Sequence, residues 1–91
     1  MFLKLKYPEE IAMDIANAEK EKRKKRKLTQ KELSARAGIS LGSLRRFEQS
    51  GEISFLSLVK IAAVLDETDK FEELFARKEY TSIQEVIDER K

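Results

Sequence analysis

Apolar residues recur at helical spacing along most of this chain, and polar breaks cut the pattern into separate elements. Ile11, Ile15 and Ala18 mark a first helix that starts at Pro8 and runs into a basic stretch. Proline suits the first helical position, and Glu9 and Glu10 suit the positive end of the helix dipole. Leu33 and Ala37 define a short second helix over about 30–37. Leu44 and Phe47 define a third over about 41–49, with Ile39 completing their apolar face. A fourth helix runs from Ser54, its expected N-cap, to Leu65. Phe55, Leu58, Ile61, Ala62 and Leu65 point inward there, and Leu56, Val59 and Ala63 form a second stripe. After a polar break at 66–69, Phe71, Leu74 and Phe75 mark a short fifth helix. Ser82 and Glu85 then form a capping box ahead of Ile83, Val86 and Ile87, the sign of one more amphipathic turn or two. The expected fold is all-α: five helices and a short C-terminal amphipathic extension. The expected divisions are an arm at 1–7, a domain at 8–76 and the extension at 77–91.

The arm has its own pattern. Leu3, Leu5 and Tyr7 alternate with Lys4 and Lys6, which is strand period in a short terminal run. It reads as a frayed tail or as an arm that pairs with a second subunit.

Start and stop signals are densest between Thr29 and Glu48. Thr29 with Glu32 is a capping box, Ser40 is a second N-cap, and Gly38 between them suits the positive φ of a tight connection. Ser34 is small where two helices must approach closely. Two short helices joined by a glycine-bearing turn form a helix-turn-helix, whose second helix enters the DNA major groove.

Charge changes the picture next. The net charge of +2 conceals 13 Lys/Arg against 7 Asp/Glu in residues 1–50, and 6 against 10 in residues 51–91. Residues 20–27 alone carry seven positive charges and one negative. The basic half is the half with the helix-turn-helix, as a polyanionic partner requires. The plain alternative is the uneven charge of any solvated helical protein in which 40% of residues are charged.

The segments Leu28–Ser34, Gly38-Ile39-Ser40 and Leu44–Glu48, with Gly51 after them, resemble the phage-repressor (Xre) helix-turn-helix family over roughly residues 8–75. The resemblance implies a five-helix, lambda-repressor-like domain that binds double-stranded DNA. It matches Arg23 to the arginine usual at the end of the first helix and Gln30 to a glutamine that bonds a phosphate. Arg26 departs from the family, which has an apolar residue there. Base-facing positions match Leu41, Gly42 and Arg46, and Ser43 matches a phosphate-contacting position.

The chemistry of these residues agrees with that division. Arginine grips guanine O6 and N7 bidentately, and leucine packs on a thymine methyl. Gly42 costs its helix ~1 kcal/mol relative to alanine but lets the backbone approach the groove. Some side chains of the basic run 20–27, Arg23 among them, are expected to contact phosphates, and Lys31, Ser40, Arg45 and Gln49 complete the expected DNA-facing set. A surface salt bridge, with Glu48 or a tail carboxylate, is the bland alternative for Arg46. Glu48 is expected to bond backbone or a basic side chain rather than DNA.

The leading functional expectation is a sequence-specific regulator, an autorepressor acting as a homodimer on an inverted repeat. The ending Phe71–Phe75 and Tyr80–Val86 resembles that of HipB-like regulators encoded beside HipA-type kinase toxins. That implies a second class of function, an antitoxin holding a toxin partner. Enzymatic activity is not expected: the chain has no Cys and no His, and no phosphate-binding loop or nucleophile–base set stands out. No cofactor or metal is implied. With no long apolar run and no signal-peptide pattern, a cytoplasmic address without membrane contact is expected.

Overall fold

A computed structural model describes residues 6–76, and five helices with no strands make up their regular structure. They are α1 (Pro8–Lys25), α2 (Gln30–Ala37), α3 (Leu41–Ser50), α4 (Phe55–Val64) and α5 (Thr68–Glu72). The arm pattern at 2–5 and the amphipathic extension at 77–91 lie outside the described residues.

Every expected cap in this region is made. Thr29 Oγ accepts the Glu32 N–H at 3.0 Å while the Glu32 carboxylate accepts the Thr29 N–H at 2.9 Å. Ser40 and Ser54 accept the N–H groups of Ser43 and Ser57 in the same way. These bonds satisfy backbone donors that the first turn of a helix leaves free.

Three helices end in one pattern. After α2, Gly38 is left-handed (φ 70°), the Gly38 N–H bonds the Ala35 carbonyl, and the Ile39 N–H bonds the Ser34 carbonyl. This double closure is the Schellman motif, in which a left-handed residue turns the chain out of the helix. Lys27 (φ 58°) performs it after α1, and Asp66 (φ 61°) after α4. Glycine fills such positions without Cβ strain, whereas lysine and aspartate carry a local cost.

The core is Ala16 of α1, Leu28, Leu33 and Ala37 of α2, Leu44 and Phe47 of α3, and Ile61 and Leu65 of α4. Both α1 and α2 pack on α3, α2 also packs on α4, and α4 packs on α5. The face expected of α1 is displaced. Ile11 and Ile15 are 47% and 43% exposed and Ala18 is exposed, whereas Ala16, Glu19 and Arg23 point inward. Phe55, also expected inside, is 60% exposed. The fifth helix is shorter than its apolar pattern implied: Leu74 and Phe75 follow its end, and Phe75 is exposed with φ 61°.

Gly51 closes α3 at φ 81°, and its Cα lies against α1. A Cβ there would stand 3.0 Å from the Ala12 carbonyl carbon and 3.1 Å from the Met13 nitrogen. Glycine at this position thus serves both the turn and the close approach of α1 to α3.

Candidate nucleic-acid interface

The second helix of the helix-turn-helix shows a clean division of faces. Leu44, Phe47 and Glu48 are buried, while Gly42, Arg45, Arg46 and Gln49 are exposed and Leu41 and Ser43 half-buried. The division follows from helical geometry: positions 44, 47 and 48 share one side, and 42, 45, 46 and 49 the other. Gly42 faces open space, with nothing within 4 Å of where a Cβ would stand. A flat, side-chain-free spot therefore sits beside Leu41 and Arg46.

Arg46 is 68% exposed and its guanidinium bonds Glu52 at 2.9 Å. This is a surface pair, though with the carboxylate after the glycine turn rather than with Glu48 or the tail. Exposed pairs of this kind contribute ~0–1 kcal/mol, so a stronger acceptor displaces Glu52 readily. Ser40 Oγ donates to Ser43 Oγ at 2.8 Å, which leaves the Ser43 hydroxyl proton free to point outward. Lys31 is exposed at the start of α2.

Beneath this face lies a buried ionic brace. Arg23 of α1 donates through Nε and Nη2 to both oxygens of Glu48, each at 2.8 Å, and through Nη1 to the Leu28 carbonyl at 2.9 Å. Gln30 of α2 donates to the same Glu48 carboxylate at 3.0 Å. Two helices, α1 and α2, are thereby tied to one carboxylate on α3. Burial alone would raise the Glu48 pKa, but bonds from Arg23, Glu19 and Gln30 outweigh it and hold it below the ordinary carboxylate value.

Glu19 behaves oppositely. Its carboxylate oxygens are buried and no donor among the described residues reaches them. Burial first, then the hydrogen bond and charge of Glu48, push its pKa up to about 8 against the pull of Arg23. At neutral pH Glu19 keeps its proton beside Glu48, and the carboxyl oxygen without the proton has no donor among the described residues.

Two expectations change here. Arg23 is only 7% exposed and each of its three guanidinium nitrogens donates inward, to Glu48 or the Leu28 carbonyl, so its place is in the brace rather than on the exposed face. Gln30 is half-buried with one amide N–H committed to Glu48; an amide carries two such donors, and the second remains for an outside acceptor. The structure brings forward Lys20, absent from the expected set, which shares a shallow hollow with Gln30, Arg45 and Gln49 above Glu48. The signal for it was available. Ala16, Glu19 and Arg23 are spaced three and four apart, and taking them as the inward face of α1 turns Lys20 toward α3. Glu48 has the structural role expected of it.

The exposed set therefore runs from Lys20 and Gln30 across Arg45 and Gln49 to Arg46, Gly42 and Leu41. It offers cations and amide donors, with Glu48 paired at the floor of the hollow and Glu52 bonded to Arg46. Among the described residues no helix is long and apolar enough to cross a membrane. No curated protein matches the chain. A family model described as Helix-turn-helix matches residues 20–71, from the basic end of α1 to Phe71 in α5. With more than half of its 91 residues in that match, the chain belongs to the helix-turn-helix family of Xre type, a family of DNA-binding regulators.

Proposed function

We propose that the protein is a sequence-specific regulator that reads the major groove of double-stranded DNA with α3. The single observation behind this reading is the exposed strip Leu41, Gly42, Arg46 at the N-terminal half of α3, held by a core and a brace that use only the opposite side. Arg46 would release Glu52 and grip a guanine, Leu41 would contact a thymine methyl, and Gly42 would let the backbone approach. Gln30, Lys31, Ser40, Ser43, Arg45 and Gln49, together with Lys20, would contact phosphates and fix the register. One recognition helix reads few base pairs, so a homodimer on an inverted repeat with half-sites ~34 Å apart completes the reading. Repression of its own promoter is the mode of action proposed.

A second reading, an antitoxin that also holds a HipA-like toxin, has Leu56 in its support. This α4 side chain is 63% exposed. The two readings are compatible.

Fluorescence anisotropy on DNA from upstream of the gene, beside a scrambled duplex and across a salt series, tests the first reading. Selective binding whose logarithm falls linearly with log salt is expected. Equal, weak binding to both duplexes contradicts it.

A further inference from the structure

On the side away from α3, an apolar groove of about 480 Å³ runs between α1 and the α4–α5 pair. Ile15 and Ala18 form one wall, Leu58 and Leu74 line the other, and Phe55 and Phe71 meet edge to face at 5.9 Å. Its residues are unusually bare for so small a domain: Phe55 is 60% exposed and Leu74 49%. Phe75, just beyond, is 98% exposed and left-handed, a conformation with a real cost for a bulky residue. A surface of this kind is expected to be covered.

We propose that residues 82–91 of the same chain fill this groove as an amphipathic helix capped by Ser82, with Ile83, Val86 and Ile87 inward. Three observations select this occupant. Leu74 lines the groove and the described chain leaves it at Ala76, so the segment starts at the rim. The link 77–81 spans up to about 17 Å, enough to reverse direction. Residues 82–89 carry three carboxylates and no cation ahead of Arg90 and Lys91; on the groove wall Lys22 is already paired with Glu67, and Lys70 on that wall, with Lys24 and Lys25 in the last turn of α1, supplies the facing positive charge. A tethered segment also has an effective concentration of ~mM, which favours it over a second copy binding the same site. The docked helix would join α1 to α4 and α5. It would use none of the α3 face, so the inference stands apart from the DNA-binding reading.

The test is photo-crosslinking in the full chain, with a benzophenone amino acid replacing Ile83 and an equal mixture of ¹⁴N- and ¹⁵N-labelled protein. The expected adducts join position 83 to α1, α4 or α5 in peptides of a single isotope, several-fold above a control probe at Arg36. Adding Ala18→Glu, which places a charge on an exposed wall position, is expected to abolish them while circular dichroism keeps its helical signal. Mixed-isotope adducts would assign the groove to a second copy. Adducts on α2 or α3, no adducts, or adducts indifferent to Ala18→Glu would each overturn the proposal.

Discussion

The two sides of this domain are held together differently. On the α3 side one buried carboxylate, Glu48, gathers Arg23 and Gln30 from two other helices, with Glu19 beside it. On the α1–α4–α5 side the groove is apolar and open, with Ile15, Phe55 and Leu74 near half exposed, and the polar ties, Lys22 to Glu67 and Arg26 to the Val64 carbonyl, lie at the C-terminal ends of α1 and α4. A helix that must meet DNA at a fixed angle needs a directional anchor, and hydrogen-bonded charges supply direction where apolar contacts do not. An apolar groove is adaptable and unfinished until something fills it. The domain is braced behind the proposed reading face and open at the proposed docking groove.

The comparison breaks most severely at its anchor. Arg23→Ala leaves the Glu48 carboxylate buried without its cation, and a loss of ~3–5 kcal/mol is expected in urea unfolding. A loss below 1 kcal/mol would show that the brace is an ornament on an apolar core. Next comes the close approach of α3 to α1. Gly51→Ala combines a left-handed backbone with a Cβ 3.0 Å from the Ala12 backbone, for an expected loss of ~2–4 kcal/mol. Gly38→Ala, with the same handedness but open space around it, should cost only ~1 kcal/mol. Equal effects at the two glycines would mean that the contact with α1 does not matter.

Glu19 sharpens the account through pH. Its folded pKa of about 8 lies above the ordinary carboxylate value, so the folded state holds the extra proton across the range between them. Its contribution is therefore complete at acid pH and declines as pH rises towards 8. Glu19→Gln keeps a donor to Glu48 without a proton to lose. The variant should be more stable by about 3 kcal/mol at pH 7, with the difference vanishing near pH 4. Glu48 has the opposite sign: its lowered pKa supports the fold above the ordinary carboxylate range, and that support is lost as acid protonates it. The smallest effect belongs to the open side. Leu56→Ser, at an exposed position, should change stability by no more than ~0.5 kcal/mol.

These contrasts also explain what could be read from the chain alone. The helix-turn-helix announces itself because its signals are local: Thr29 and Glu32 cap each other, Ser40 caps its own helix, and Gly38 marks the turn. The faces of α3 followed from spacing. Harder to read were the places where tertiary context outranks local preference. Ile11, Ile15 and Phe55 look like core residues yet stay exposed; Arg23 takes the interior because Glu48 on a distant helix pairs with it, and Glu19 is buried beside that pair with its pKa raised. Lys27 and Asp66 end their helices in a conformation that composition assigns to glycine. Arg26, which departs from the family's apolar residue, donates to the Val64 carbonyl at the C-terminal end of α4. No pattern within α1 contains these pairings.

The most direct test of the central claim, that the outer face of α3 reads base edges while its inner face only holds it in place, is selection from a random duplex pool with the natural protein and with Arg46→Ala. The account predicts an enriched inverted repeat with half-sites one helical turn apart. Arg46→Ala should lose preference at one guanine in each half-site and keep the rest of the motif. An identical motif from both proteins, or none from the natural one, would contradict it.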